Sequence, residues 1–218
     1  MKTTGLFPYR YTSTGQAGFS LLEFMISSII LLLVSAAVFG MLSDIQRTAS
    51  YQAETQTIVN SAQAALQTIE KYIRQAGNNP QGASLVGINI VDSSEVRIQS
   101  DITGSLGPGN PDKGDPDGDV NDSGENVAIR YNQAAKTIEI VPNGGPAQII
   151  AGNINGFTLI YYDADGNSTG VGNSVSRIRV IIKAASSMPN PQTNKTFAME
   201  IGSDIQLETL QQDINQIV

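Results

Sequence analysis

The chain is predicted to fold as α+β, with one long N-terminal helix packed on a C-terminal antiparallel β-sheet domain. Three observations predict it. The stretch Phe19 to Ala76 holds no proline and a single glycine, Gly40. Apolar residues recur through its second half at helical spacing. From Leu85 onward the apolar period falls to two, broken by glycine, asparagine and proline clusters.

The first half of the helix is the apolar run Phe19 to Leu42, 24 residues with one charge, Glu23. That length suits a transmembrane segment. A carboxylate inside such a segment costs about 2.5–3.5 kcal/mol on insertion scales, so it is retained for a purpose. In the second half, 43–77, the residues Ile45, Ala49, Val59, Ala62, Leu66, Ile69 and Ile73 form an apolar stripe. Lys71 and Arg74 complement the helix dipole in the last turns. Gly77-Asn78-Asn79-Pro80 is the stop. At 1.5 Å per residue the whole helix would span roughly 87 Å. The alternative is two helices broken near Gly40 and Ser43-Asp44. Gly40 itself reads either as a weak point or as a place where two helices approach closely.

Residues 78–218 are expected to form a β-rich domain. Strands are expected at Leu85 to Val91 and Glu95 to Gln99. The alternating Val127, Ile129 and Tyr131, then Ile138 and Ile140, flank a turn at Asn132 to Ala135 and predict a hairpin. Ile154 to Tyr162 and Val175 to Ile182 form a second pair, joined by the loop Asp163 to Asn173. In the latter strand Ile178, Val180 and Ile182 face the core, and Arg177, Arg179 and Lys183 face water. Phe197 to Leu207 is a further strand, followed by a short amphipathic tail to Val218.

Composition excludes several functions. There is no cysteine, histidine or tryptophan. No disulfide or thiol site exists, and the commonest general base and imidazole metal ligand are missing. Any metal would be a hard cation held by oxygen. The net charge is −7, which makes the chain a poor partner for phosphate backbones, so no direct nucleic-acid binding is expected. Gly166-Asn167-Ser168-Thr169-Gly170 matches the string of a hydrolase nucleophile elbow. The elbow needs a strand–turn–helix setting and a histidine. Here the flanks are strands, and no enzyme is expected.

Between Gly104 and Asn126 lies an acidic loop with Asp112, Asp115, Asp117, Asp119, Asp122 and Glu125, interleaved with Gly109, Gly114, Gly118 and Gly124. Asp115-x-Asp117-x-Asp119 and Asp119-x-Asn121-x-Ser123-Gly124 have the alternation of calcium loops. The EF-hand template fails, because frames begun at Asp119 and Asp115 place Arg130 and Asn126 where a glutamate belongs. The candidate calcium ligands are Asp115, Asp117, Asp119, Asn121, Asp122 and Glu125, against the alternative of a solvated Gly, Pro and Asp loop. Asp163-Ala-Asp165-Gly166-Asn167 reads as a turn.

The segment before the apolar run, 1–18, carries Lys2 and Arg10, no acid and no apolar core of its own. A secretory signal peptide would have that core before its cleavage site. Gly18, Phe19-Ser20-Leu21-Leu22-Glu23 and the run that follows resemble the processing site of type IV prepilins and type II secretion pseudopilins. The resemblance implies that prepilin peptidase cuts after Gly18 and N-methylates Phe19. Loss of 1–18 would take the net charge from −7 to −9. It also implies that Glu23, then the fifth residue, is an assembly charge. It would pair with the N-terminal amine of a neighbouring subunit. Gly124-Glu125, Phe157 to Gly166 and Ser176-Arg177-Ile178-Arg179-Val180 resemble PilW-type minor pilins, with the J-type pseudopilins as relatives. The function so implied is a structural minor pilin that helps initiate or tip a type IV pilus. It would sit in the inner membrane as a single pass, then join an extracellular or periplasmic filament. Its partners would be other minor and major pilins, met through the N-terminal helix. Alternatives are a pseudopilin of a type II secretion system, or a calcium-dependent adhesion module delivered by the pilus.

Overall fold

The helical pattern becomes one unbroken helix, α1 (Leu21–Gln75), in the computed structural model. The structure describes residues 18, 20–82, 84–104, 114–122, 124–143 and 145–207. The leader 1–17, Phe19, Asp112, Ser123 and the tail after Leu207 lie outside the described residues. The chain divides into two units, Met1–Gln46 and Arg47–Val218.

In the first unit no described side chain is buried. Leu21, Phe24, Leu32 and Phe39 each expose more than two thirds of their surface. A hydrophobic surface of this kind needs a non-aqueous cover. The helix is long and apolar enough to cross a membrane. Ser28 donates its hydroxyl to the Phe24 carbonyl at 2.8 Å, so its polar atom is satisfied within the helix. The helix does not break at Gly40 or Ser43. A Cβ at Gly40 would meet nothing within 4 Å.

Among the described residues, the second unit holds the rest of α1 and eight strands. Ile58, Ala62, Ala65, Ile69 and Ile73 are the helix residues buried in the core, followed by Ala76 just past the helix end. This is the expected stripe, rotated slightly: Val59 and Leu66 are half-buried, and Ile45 and Ala49 are exposed. Ala62 and Ala65 lie at the centre of the stripe and are fully buried.

Strands β1 (Ile88–Ile90), β2 (Glu95–Gln99), β3 (Asn126–Asn132), β4 (Thr137–Pro142) and β5 (Gln148–Ala151) form an antiparallel meander in that order. Strands β6 (Ile154–Tyr162), β7 (Arg177–Pro189) and β8 (Thr196–Gln206) form a second antiparallel sheet. The expected single sheet is therefore two. The β3–β4 hairpin turns between Asn132 and Thr137, which pair. The Asn132 side chain accepts from the Ala135 N–H at 3.1 Å. Ile178, Val180 and Ile182 are fully buried, as their alternation predicts. On the opposite face Arg179 makes a two-pronged ion pair with Asp204, 2.9 and 2.8 Å. Arg177 stacks over the Tyr162 ring at 4.3 Å.

The helix end is tied to the first sheet. Gly77 takes a left-handed φ of 75° and donates its N–H to the Gln99 carbonyl at 2.9 Å. A Cβ on Gly87 would lie 2.8 Å from the Gly77 backbone, so this crossing requires glycine.

A second tie joins α1 to the end of β7. The register of β7 against β8 shifts between Ala185 and Pro189. There Glu54 accepts from the Ser187 N–H at 2.9 Å, the Ser187 hydroxyl, and the Met188 N–H at 3.3 Å. The Ser187 hydroxyl is the main cause that holds the Glu54 carboxyl below its ordinary value; burial opposes it, and the Ser187 and Met188 N–H groups add to the lowering. A depressed carboxyl stabilises the fold above its unfolded value, and that stabilisation is lost as pH falls through the folded one. Amide exchange at Ser187 and Met188, corrected for intrinsic rates, should therefore lose protection as pH drops below 4.5, the ordinary value. In Glu54→Gln this pH dependence should vanish. Equal dependence in both proteins would mean that another group controls the bulge.

Candidate functional site

The acidic loop is the connection from β2 to β3, and two buried carboxylates build its stem. Asp101 and Glu125 are both 0 % exposed. Glu125 stands immediately before β3, where its backbone carbonyl accepts from the Ser100 N–H at 2.9 Å. Its Oε1 accepts from the Ile102 and Thr103 N–H groups, both at 2.9 Å. Its Oε2 accepts from the Asp122 N–H at 3.1 Å. Asp101 spans the other side, accepting from the Asp117 N–H at 3.2 Å and the Gly118 N–H at 3.1 Å. The Asp101 N–H donates to the Asn78 carbonyl at 2.8 Å, which links the loop to the turn after α1. Neither carboxylate makes an ion pair among the described residues. Among the described residues, backbone N–H groups are the hydrogen-bond partners of both carboxyl side chains.

The distal part of the loop is a run of side-chain turns. Asp117 accepts from the Asp119 N–H at 3.2 Å, and Asp119 from the Asn121 N–H at 2.8 Å. Gly118 and Gly124 take φ of 90° and 97°, which other residues rarely adopt. The result gathers one carboxylate oxygen each from Asp117, Asp119 and Asp122 within 4.8 Å of one another.

Of the six expected ligands, the structure brings three together. Asp117, Asp119 and Asp122 come together. Asp115 is exposed and stands outside the group. Glu125 turns its carboxylate into the stem, so it organises the loop instead of joining the cluster. Asn121 is exposed, with its N–H bound to Asp119. Three carboxylates offer half or fewer of the six to eight oxygens that calcium takes, and the others would have to be carbonyls and water. Asp101 escaped the sequence reading because it lies before the acid-rich window. Its one signal is a lone aspartate placed two residues past a strand.

The N-terminal motif has its own geometry. Ser20 and Glu23 form a capping box at the start of α1. The Ser20 hydroxyl accepts from the Leu22 N–H at 3.3 Å, and Glu23 reaches back to the Ser20 N–H at 3.2 Å. A carboxylate here also faces the positive end of the helix dipole. Gly18 is exposed, and Phe19 lies outside the described residues.

The Gly166–Gly170 string lies in the turn between β6 and β7 with no helix after it except the three-residue Gly172–Ser174. No protein-family model matches the chain, and no curated protein sequence matches it.

Proposed function

We propose that this chain is a minor pilin of a type IV pilus, trimmed after Gly18 by prepilin peptidase and built into the filament through α1. One observation carries the reading. A glycine stands five residues before a glutamate that caps a helix, and from Leu21 to Leu42 the apolar side chains of that helix find no cover among the described residues. A lipid bilayer before assembly, and the helices of neighbouring subunits after it, would supply that cover. The β-rich unit then stands outside the inner membrane, and the filament is extracellular or periplasmic.

Mass spectrometry of sheared filaments tests this directly. The chain should be present, with N-methyl-Phe19 as its first residue. A first residue elsewhere, or a filament without the chain in a strain that expresses it, would sink the proposal. In a deletion strain, piliation should fall while type II secretion continues. The reverse pattern would assign the chain to the secretion machinery.

A further inference from the structure

The β6–β7 turn carries the tripeptide Asn167-Ser168-Thr169 with Asp165 two residues before the asparagine. We propose that Asn167 is the acceptor of an N-linked oligosaccharide. An Asn-x-Ser/Thr tripeptide is an acceptor only where the asparagine is on the surface of an exported domain. The inference therefore rests on the export of residues 78–218.

Geometry singles out this asparagine from two other such tripeptides. Asp163 closes the turn by accepting from the Asp165 N–H at 3.0 Å and the Asn167 N–H at 2.8 Å. Those bonds use the backbone of Asn167 and leave its side-chain amide exposed, with no partner among the described residues. Asp165 is also exposed and its carboxylate unpaired, a free anionic handle for a cationic transferase groove. The Thr169 hydroxyl accepts from the Val171 N–H at 3.1 Å, so its own proton is uncommitted. Gly166 and Gly170 flank the tripeptide, and a Cβ at either would meet nothing within 4 Å. The two flanking positions are therefore open, while the tripeptide's backbone is held to β6 by the Ser168–Tyr162 bridge and by the Thr169 N–H, which donates to the Tyr161 carbonyl at 3.0 Å. At Asn121 the preceding acid, Asp119, already holds the Asn121 N–H and belongs to the carboxylate cluster. At Asn194 the residue two before is Gln192, and the backbone is left-handed at φ 54°.

In the transfer, the Asn167 amide nitrogen attacks C1 of a sugar held on a polyprenyl diphosphate. The C–N bond forms, and the C1–oxygen bond to the diphosphate breaks. The lipid diphosphate leaves, and the amide proton passes to a base of the transferase.

The test uses the full chain in detergent, a purified bacterial N-oligosaccharyltransferase and a polyprenyl-diphosphate oligosaccharide. Peptide mass analysis should find one glycan, on the peptide containing Asn167. It should be lost in Asn167→Gln and Thr169→Val, and kept in Thr169→Ser, Asn121→Gln and Asn194→Gln. A folded chain left unmodified, while an acceptor peptide in the same tube is glycosylated, overturns the proposal. So does a glycan that persists in N167Q. Export is read separately, from alkaline phosphatase fused after Val218. An inactive fusion would sink the export reading without altering the result in the tube.

Discussion

Glu125→Ala is expected to lower the unfolding free energy of the β-rich unit by about 3 kcal/mol, since leaving a single buried N–H without its acceptor costs about 1–3 kcal/mol and three lose theirs here. The side chain is fully buried and serves three N–H donors from both strands of the loop stem. Hydrogen bonds to a charged acceptor are worth roughly 1.5–3 kcal/mol each, and some of that returns when water reaches the freed donors. Glu125→Gln should recover only part of the loss. It retains one acceptor oxygen, but sets an NH2 donor against one of the N–H groups that the carboxylate served. Asp115→Ala, an exposed change outside the cluster, should stay within about 0.5 kcal/mol of the parent. Urea unfolding of the full chain in detergent, followed by near-ultraviolet tyrosine dichroism, separates these outcomes. If Glu125→Ala matched Asp115→Ala, the stem bonds would not be what orders the loop.

That carboxylate also marks where sequence reasoning stops. Composition identifies an acid-rich loop but treats its acids alike, whereas the fold sorts them by position. Glu125 abuts β3 and points inward. Asp117, Asp119 and Asp122 lie in the turns and gather there, the first exposed and the other two half-buried. Strands with strong alternation and β-branched residues were legible: β2 and β6 run as expected, and the buried face of β7 follows Ile178, Val180 and Ile182. Strand β5 was not legible. Its four residues, Gln148 to Ala151, lie between Gly145-Pro146 and Gly152-Asn153, and only Ala151 is buried. As an edge strand it is specified by pairing with β4 and not by its own pattern. The far end of β7 was missed for a related reason. Ala184 to Met188 lacks β-branched residues, and β8 pairing and Glu54 hold it in place. The split into two sheets depends on how β5 and β6 part at Gly152 and Asn153, where Asn153 takes a φ of 59°. A short interruption of that kind looks like any other turn in sequence.

Substitution of Glu23 should have the largest functional effect, and two variants together distinguish its two roles. In the isolated chain the Glu23 carboxylate caps α1 through the Ser20 N–H. Under the proposed function it also neutralises the N-terminal amine of a neighbouring subunit inside the filament. Glu23→Val removes both roles. Glu23→Gln keeps the capping hydrogen bond, since glutamine also serves at this place in a capping box, and removes the charge. Neither change touches Gly18, so both chains should be inserted in the membrane and cleaved. An uncompensated charge within the apolar layer costs about 2.5–3.5 kcal/mol, and each 1.4 kcal/mol is tenfold in an equilibrium. Incorporation into filaments should therefore fall by roughly a hundredfold in both variants, read by immunoblot of sheared filaments against the membrane pool. Glutamine incorporation at the parental level would show that capping alone explains the glutamate and would remove the charge pair from the assembly mechanism. A loss in valine alone, with altered cleavage, would place the defect at the helix start. Equal loss in both, with normal cleavage, is the outcome that the apolar surface of α1 and its single carboxylate lead us to expect.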